Sequence, residues 1–226
     1  MKLIIFDLDQ TLVDFIAVHD EATQRLFQQL FGVDARLTEI DFAGRSLTDN
    51  FSELARLKGV AENLFKVKLP ELLQSYDRVF DKCIPTEGEK YVLPGVKKLL
   101  NGLTKAGDMI MLYTGDSHSV VKSVFRVTGI GKYFVATFYG TEVTNRADMV
   151  RSAIQKAEKM TGRIFQGKEI VIIGDSVRDI ECGKEFNALT IAVATGFHSL
   201  PRLEAAKPDY VFRNLRDYKK ILQILK

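Results

Sequence analysis

The chain has almost no cysteine. Cys83 and Cys182 are the two in 226 residues, too few for a disulfide framework and without the Cys-x-x-Cys spacing of a metal or redox pair. They read as free thiols of a reducing compartment, and a cytoplasmic location is the expectation. Long apolar runs are missing too: no stretch approaches the roughly 20 residues a membrane helix needs. The opening run, Leu3 to Phe6, ends at Asp7, too short for the core of a signal peptide. No charge sign dominates. The 32 basic and 29 acidic residues leave a net charge of +3, mild and evenly spread, which argues against nucleic acid or an anionic membrane as partner. His19, His118 and His198 are the three histidines. They lack metal-ligand spacing and read as structural or surface residues, with His118 nearest a candidate site.

What is present is an ordinary globular composition, 46% hydrophobic and 27% charged, able to bury a sizeable core. Leu3-Ile4-Ile5-Phe6 is an apolar run without alternation, as expected of a strand covered on both faces. Met109 to Tyr113, Glu169 to Ile173 and Leu189 to Val193 look the same. Phe134 to Phe138 and Tyr210 to Phe212 are weaker strand candidates. Helical stripes lie between them: Leu99, Leu100 and Leu103 before Gly107; Val120, Val121, Val124 and Val127 between Ser117 and Gly129; Met149 to Met160 before Gly162. Alternating strand and helix predicts βαβ units and an α/β fold with a doubly wound parallel sheet.

Residues 15–88 break that rhythm. Phe15, Val18, Ala22, Leu26 and Leu30 make an amphipathic stripe, Ser46-Leu47-Thr48-Asp49 reads as a capped helix start, and Pro70 to Phe80 carries another stripe. No strand pattern interrupts them. The expected organisation is an α/β core of residues 1–14 and 89–226, with an all-helical second domain over 15–88 inserted after the first strand.

Three strand ends carry chemistry. Asp7-Leu8-Asp9-Gln10-Thr11 follows the first strand. Alternate residues of an extended segment share a side, so two carboxylates can face one site. Tyr113-Thr114-Gly115-Asp116-Ser117 follows the second clear strand; a hydroxyl, a glycine and a helix start make a phosphate cradle. Gly174-Asp175-Ser176-Val177-Arg178-Asp179 follows the third. Each alone has a plainer reading: a solvated loop for the first, helix capping by Asp116, Ser117, Asp175 or Ser176 for the others. Together they are stronger, because parallel strands bring their carboxyl ends to one edge. There Asp7, Asp9 and Asp175 would form a carboxylate-rich site suited to a hard divalent cation, with Thr114 opposite.

Asp7-x-Asp9-x-Thr11, then Thr114, then Gly174-Asp175-x-x-x-Asp179 resemble the signature of the haloacid dehalogenase superfamily. The resemblance is to its phosphatase branch with a helical cap, which includes phosphoglycolate phosphatase-like enzymes and β-phosphoglucomutase. Leu93-Pro94-Gly95 and Thr195-Gly196 also fit. The resemblance implies a magnesium-dependent phosphatase acting on a small phosphorylated metabolite. Asp7 would be the nucleophile and a metal ligand. Asp9 would be the general acid and base, lending its backbone carbonyl to the metal. Asp175 would complete the protein ligands, with Asp179 beside it or acting through water. Thr114 and the Gly115 amide would hold the phosphoryl oxygens, with Thr11 and Ser176 supporting. Where the family has a lysine, Arg146 is the nearest cation and is expected in its place. Where the family has glycine, this chain has Gln10, which fits if the backbone there avoids positive φ. Caps of this family place a loop over the site; Phe42-Ala43-Gly44-Arg45 is the candidate, making Arg45 either a substrate contact or a solvated charge. A phosphomutase and a non-catalytic phosphate binder are the alternatives. The expected assembly is a monomer or weak homodimer.

Overall fold

The computed structural model describes residues 1–141 and 145–226. Its six strands are β1 (Leu3–Phe6), β2 (Met109–Thr114), β3 (Ala136–Tyr139), β4 (Ile170–Gly174), β5 (Leu189–Val193) and β6 (Tyr210–Phe212). They form one sheet in the order β3-β2-β1-β4-β5-β6, parallel throughout. The chain runs outward from β1 on one side and then returns to its other side, so β1 stands at the topological switch point, where open α/β sheets bind ligands.

The non-alternating sequence of β1 follows from this central place. Ile4 and Phe6 pack with Leu99, Leu100 and Val120 on one face, while Leu3 and Ile5 pack with Met149, Val150 and Ala153 on the other. The helices on the two faces are α4 (Val96–Ala106) and α5 (His118–Thr128) on the first, α6 (Arg146–Thr161) and α7 (Val177–Glu185) on the second. The short Leu200–Ala205 and Tyr218–Ile224 helices complete the set among the described residues. Several starts are capped as their sequences demand. The Ser117 hydroxyl accepts from Val120 N–H, and the Asn145 side chain accepts from Asp148 N–H. Ser176 and Asp179 form a reciprocal capping box.

Between β1 and α4 the described chain forms three α-helices, Ile16–Phe31, Leu47–Leu57 and Glu62–Cys83, and no strand. We call this segment the helical insertion. Its second helix starts at Ser46, whose hydroxyl accepts from Asp49 N–H. Its third runs eight residues further toward the N-terminus than the stripe from Pro70 predicts, with Pro70 inside it. Pro70 and Lys66 are both exposed, so the carbonyl that loses its N–H partner meets water, and the proline is tolerated. The strand expected over Phe134 to Phe138 is displaced to Ala136–Tyr139 because residues 130–133 form a 3-10 turn. No helix among the described residues is long and apolar enough to cross a membrane.

Candidate active site

The carboxyl ends of β1, β2 and β4 deliver Asp7, Thr114 and Asp175 to one cavity, whose lining also includes Asp9, Gly115 and Arg146. Asp7 follows directly on β1, and its N–H donates to the Ile173 carbonyl of β4 at 2.9 Å. The Thr11 hydroxyl stands between the two buried acids, 3.1 Å from Asp175 Oδ1 and 3.4 Å from Asp7 Oδ2. Thr114 Oγ1 accepts from the Asp116 N–H at 3.2 Å, leaving its own proton for an acceptor in the cavity.

Arg146, the first residue of α6, bridges Asp7 and Asp179. Its Nη2 pairs with Asp7 Oδ1 and lies 2.6 Å from Asp179 Oδ1, while Nε donates to the same Asp179 oxygen at 2.9 Å. The guanidinium lies 4.2 Å from the Tyr113 ring centroid, a cation–π stack. Asp179 is fixed by further donors. The Ser176 N–H and hydroxyl bond its Oδ2 at 2.9 and 2.6 Å, and the Tyr113 hydroxyl bonds its Oδ1. Ser176 and Asp179 thus hold Arg146 against Asp7.

Burial raises Asp7 to about 7, with Asp179 and Asp9 adding to the rise and Arg146 opposing it. Asp175 is pushed well above the ordinary carboxylate range by burial and by its neighbours Asp7 and Asp179. Two buried carboxylates converging on one hydroxyl repel each other, and an all-oxygen donor set of this kind fits a hard divalent cation. The backbone of the neighbouring turn packs directly on Asp175: a Cβ on Gly196 would lie 1.8 Å from its Oδ2.

Asp9 behaves differently. Its side chain turns toward the insertion, where His19 Nε2 lies 3.4 Å from Asp9 Oδ1 and 3.9 Å from Asp116 Oδ2. These are ion-pair distances, longer than good hydrogen bonds. His19 Nδ1 contacts the Tyr76 hydroxyl at 2.7 Å. Burial opposes the charge on His19, but Asp116 and Asp9 outweigh it and raise the imidazole to about 9. Burial likewise opposes ionisation of Asp9, yet His19 holds that carboxyl below its usual range. Among the described residues, Asp9, His19 and Asp116 form a trio whose ligand atoms lie within 4.8 Å of one another. With its imidazole protonated, the trio is a buried cluster of one cation and two carboxyl groups beside the Asp7 end of the cavity.

His19, read from sequence as structural or surface, is therefore a site residue, and Asp116 joins it. Each left a signal. His19 lies on the buried stripe of its helix, three residues before Ala22 and seven before Leu26, where a polar residue needs a reason. Asp116 follows Thr114 by two. His118, by contrast, packs edge-on against Tyr139. Raised above its unfolded value, His19 contributes stability that is fully present below about pH 6.5 and is lost as pH rises through about 9. Thermal unfolding followed from pH 6 to 9.5 should show this decline, and His19→Gln should flatten it.

One further expectation is corrected. Gln10 has φ +60°, so it occupies the left-handed region that the sequence reading required it to avoid. Its side-chain amide bonds Asp14 Oδ1 at 2.6 Å and its N–H bonds the Val13 carbonyl at 2.7 Å, which hold the turn despite the missing glycine. Arg45 lines the cavity, but its charge is matched by Glu53, and its remaining contacts are the Asp41 and Asp49 carbonyls at 3.4 and 3.2 Å.

The 42–45 loop nevertheless closes the cavity. A Cβ on Gly115 would lie 2.1 Å from the Arg45 carbonyl oxygen. Beside it Asp41 receives His198 Nε2 at 2.9 Å, Arg202 Nη2 at 2.6 Å and Arg178 Nη1 at 3.3 Å. Since His198 Nδ1 accepts from the Val177 N–H at 2.9 Å, Nε2 carries the proton and donates to Asp41. Against the effect of burial, the His198 and Arg202 hydrogen bonds hold Asp41 at about 2. This contact ties insertion to core at all pH values above about 4. Asp41→Asn should loosen it, raising KM about tenfold for a substrate enclosed by the loop while thermal stability changes by about 1 kcal/mol or less. Steady-state kinetics and limited proteolysis across residues 41–46 check this.

Comparison with known proteins agrees with the architecture. Residues 4–193 match the family model described as haloacid dehalogenase-like hydrolase. A phosphoglycolate phosphatase of Synechococcus elongatus is 25% identical, over 96% of this chain and 95% of that protein. Pyrophosphatase PpaX of Listeria monocytogenes is 26% identical, over 97% and 95%. Among solved structures, β-phosphoglucomutase from Clostridium difficile superimposes with a TM-score of 0.80 at 15% identity, covering 100% of this chain and 97% of that one.

Proposed function

The chain belongs to the haloacid dehalogenase-like hydrolases, and from that premise we propose that it is a magnesium-dependent phosphatase that hydrolyses a small phosphorylated metabolite through a phosphorylated Asp7. The observation that carries this reading is the buried cluster at the ends of β1, β2 and β4, in which Arg146 holds Asp7 and Thr11 links Asp7 to Asp175. Asp7, Asp175 and the Asp9 backbone carbonyl would hold magnesium, which when bound spreads the charge on the transferring phosphoryl group.

The chain's own residues do the rest. An Asp7 carboxylate oxygen attacks phosphorus as the bond to the leaving oxygen breaks, and Asp9 delivers a proton to that oxygen. Water then attacks the phosphorylated Asp7, Asp9 takes the water proton, and the phosphorus–Asp7 bond breaks. Arg146 fixes the orientation of Asp7. The Thr114 hydroxyl and the Gly115 amide receive the phosphoryl oxygens. His19, protonated up to about pH 9, lies beside Asp9 and favours its ionised form, the form that takes the proton from water in the second step. The helical insertion acts as a cap, with the 42–45 loop excluding bulk water. Free Cys83 and Cys182 suit work in a reducing compartment.

The test is phosphate release from a panel of phosphomonoesters with and without added magnesium. The panel includes phosphoglycolate, because relatives carry that name. Magnesium-dependent release is the expected result. Return of the phosphoryl group to a sugar instead of water would turn the reading toward a mutase, and no transfer at all would overturn it.

A further inference from the structure

The cap side of the cavity holds a buried amide with an unmet acceptor. Asn50, on the second helix of the insertion, is 4% exposed and lines the cavity. Its amide nitrogen lies 3.5 Å from the Phe42 carbonyl, while its Oδ1 has no hydrogen-bond partner. Asp116 Oδ2, also in the lining, faces the equally unpaired His19 Nε2 at 3.9 Å. A buried acceptor left unpaired costs about 1–3 kcal/mol, so Asn50 Oδ1 in the cavity wall points to a ligand that brings a donor.

The cations there tell the complementary story. Arg45 is matched by Glu53, Arg146 by Asp7 and Asp179, and His19 lies between Asp9 and Asp116. Among the described lining residues, every cation already faces a carboxylate. A leaving group with its own carboxylate would find no unmatched positive charge among them. Ile16, Leu37 and Leu47 complete the walls and favour a compact carbon skeleton.

We propose that the site selects a small leaving group that bears a hydroxyl or amino donor for Asn50 Oδ1 and carries no negative charge, as in a phosphorylated polyol or amino alcohol, and that it discriminates against carboxylate-bearing esters such as phosphoglycolate. This rests on the phosphatase reading for its chemistry and departs from the relatives' names on the substrate. A site built to hydrogen-bond a hydroxyl rejects an analogue that lacks it far more strongly than an apolar pocket rejects a change of size.

The experiment measures kcat/KM of the full chain, with magnesium, for glycerol phosphate, propyl phosphate, phosphoglycolate and acetyl phosphate. Acetyl phosphate is an activated acyl phosphate that reports the chemistry with little demand on the cap. Glycerol phosphate is expected to exceed both propyl phosphate and phosphoglycolate by at least about tenfold. Asn50→Leu is expected to bring the glycerol-to-propyl ratio down to within about threefold of one. If acetyl phosphate is hydrolysed and phosphoglycolate equals or exceeds glycerol phosphate, the substrate inference falls and the phosphatase reading stands. A glycerol-to-propyl ratio unchanged in a folded Asn50→Leu protein would overturn the role of Asn50. If acetyl phosphate and all the others are untouched, both readings fall together.

Discussion

Replacing Asp7 with asparagine is expected to lower phosphate release at least about a thousandfold while leaving the fold intact. The amide keeps the shape of the carboxyl but cannot act as the nucleophile. Stability should not suffer. In the wild-type chain Asp7 is raised to about 7, by burial first and by Asp179 and Asp9, so above that pH its ionised form opposes folding. Asparagine removes that cost, although it also removes one partner of Arg146, which keeps Asp179. Without added magnesium at pH 8, the variant should therefore unfold at or above the wild-type temperature. The wild-type protein should also lose stability as pH rises from about 4 to about 7, because its folded state binds the extra proton there. Activity within tenfold of wild type in Asp7→Asn would remove Asp7 from the mechanism.

Arg146 carries the second large effect. Its side chain is 10% exposed and pairs with two acids that are 9% and 2% exposed. Removing one member of such a buried cluster leaves uncompensated charge, at a cost of about 3–5 kcal/mol. Arg146→Ala should lose stability on that scale, with at least about a hundredfold loss in kcat/KM as Asp7 loses its positioning. Arg146→Lys separates the two contributions. A single ammonium cannot reproduce the fork that reaches Asp7 and Asp179 together, nor its stack on Tyr113. It should keep the protein folded, recover most of the stability and leave activity reduced about tenfold. Denaturant melts beside kinetics for the two variants check this. If Arg146 were an ordinary helix-start charge, the alanine variant would stay within about 0.5 kcal/mol of wild type.

Much of the fold was legible because local chemistry and burial agree along the core. Leu3 to Phe6 reads as a doubly covered strand because both its faces are packed. Ser117 and Ser176 announce helix starts because their hydroxyls accept from amides left open by the first turn. Pro70 misled the pattern, since a proline on an exposed helix face removes a hydrogen bond that water can replace. Gln10 misled it as well, because a side-chain bond to Asp14 and a close N–H to Val13 offset a turn that glycine would make more easily.

By itself the sequence determined the order of strands and helices, the placing of Asp7, Thr114 and Asp175 at strand ends, and the presence of Arg146 at a helix start. Each of these depends on neighbours close in the chain, on hydrophobic period and on capping chemistry. Tertiary structure decided what lies far apart in sequence and close in space. Asp41 meets His198 and Arg202, Arg45 is neutralised by Glu53, and His19 stands between Asp9 and Asp116. Whether a polar side chain is a site residue or a satisfied one depends on the partners that packing brings to it, and those partners are set when the insertion folds back over the carboxyl edge of the sheet.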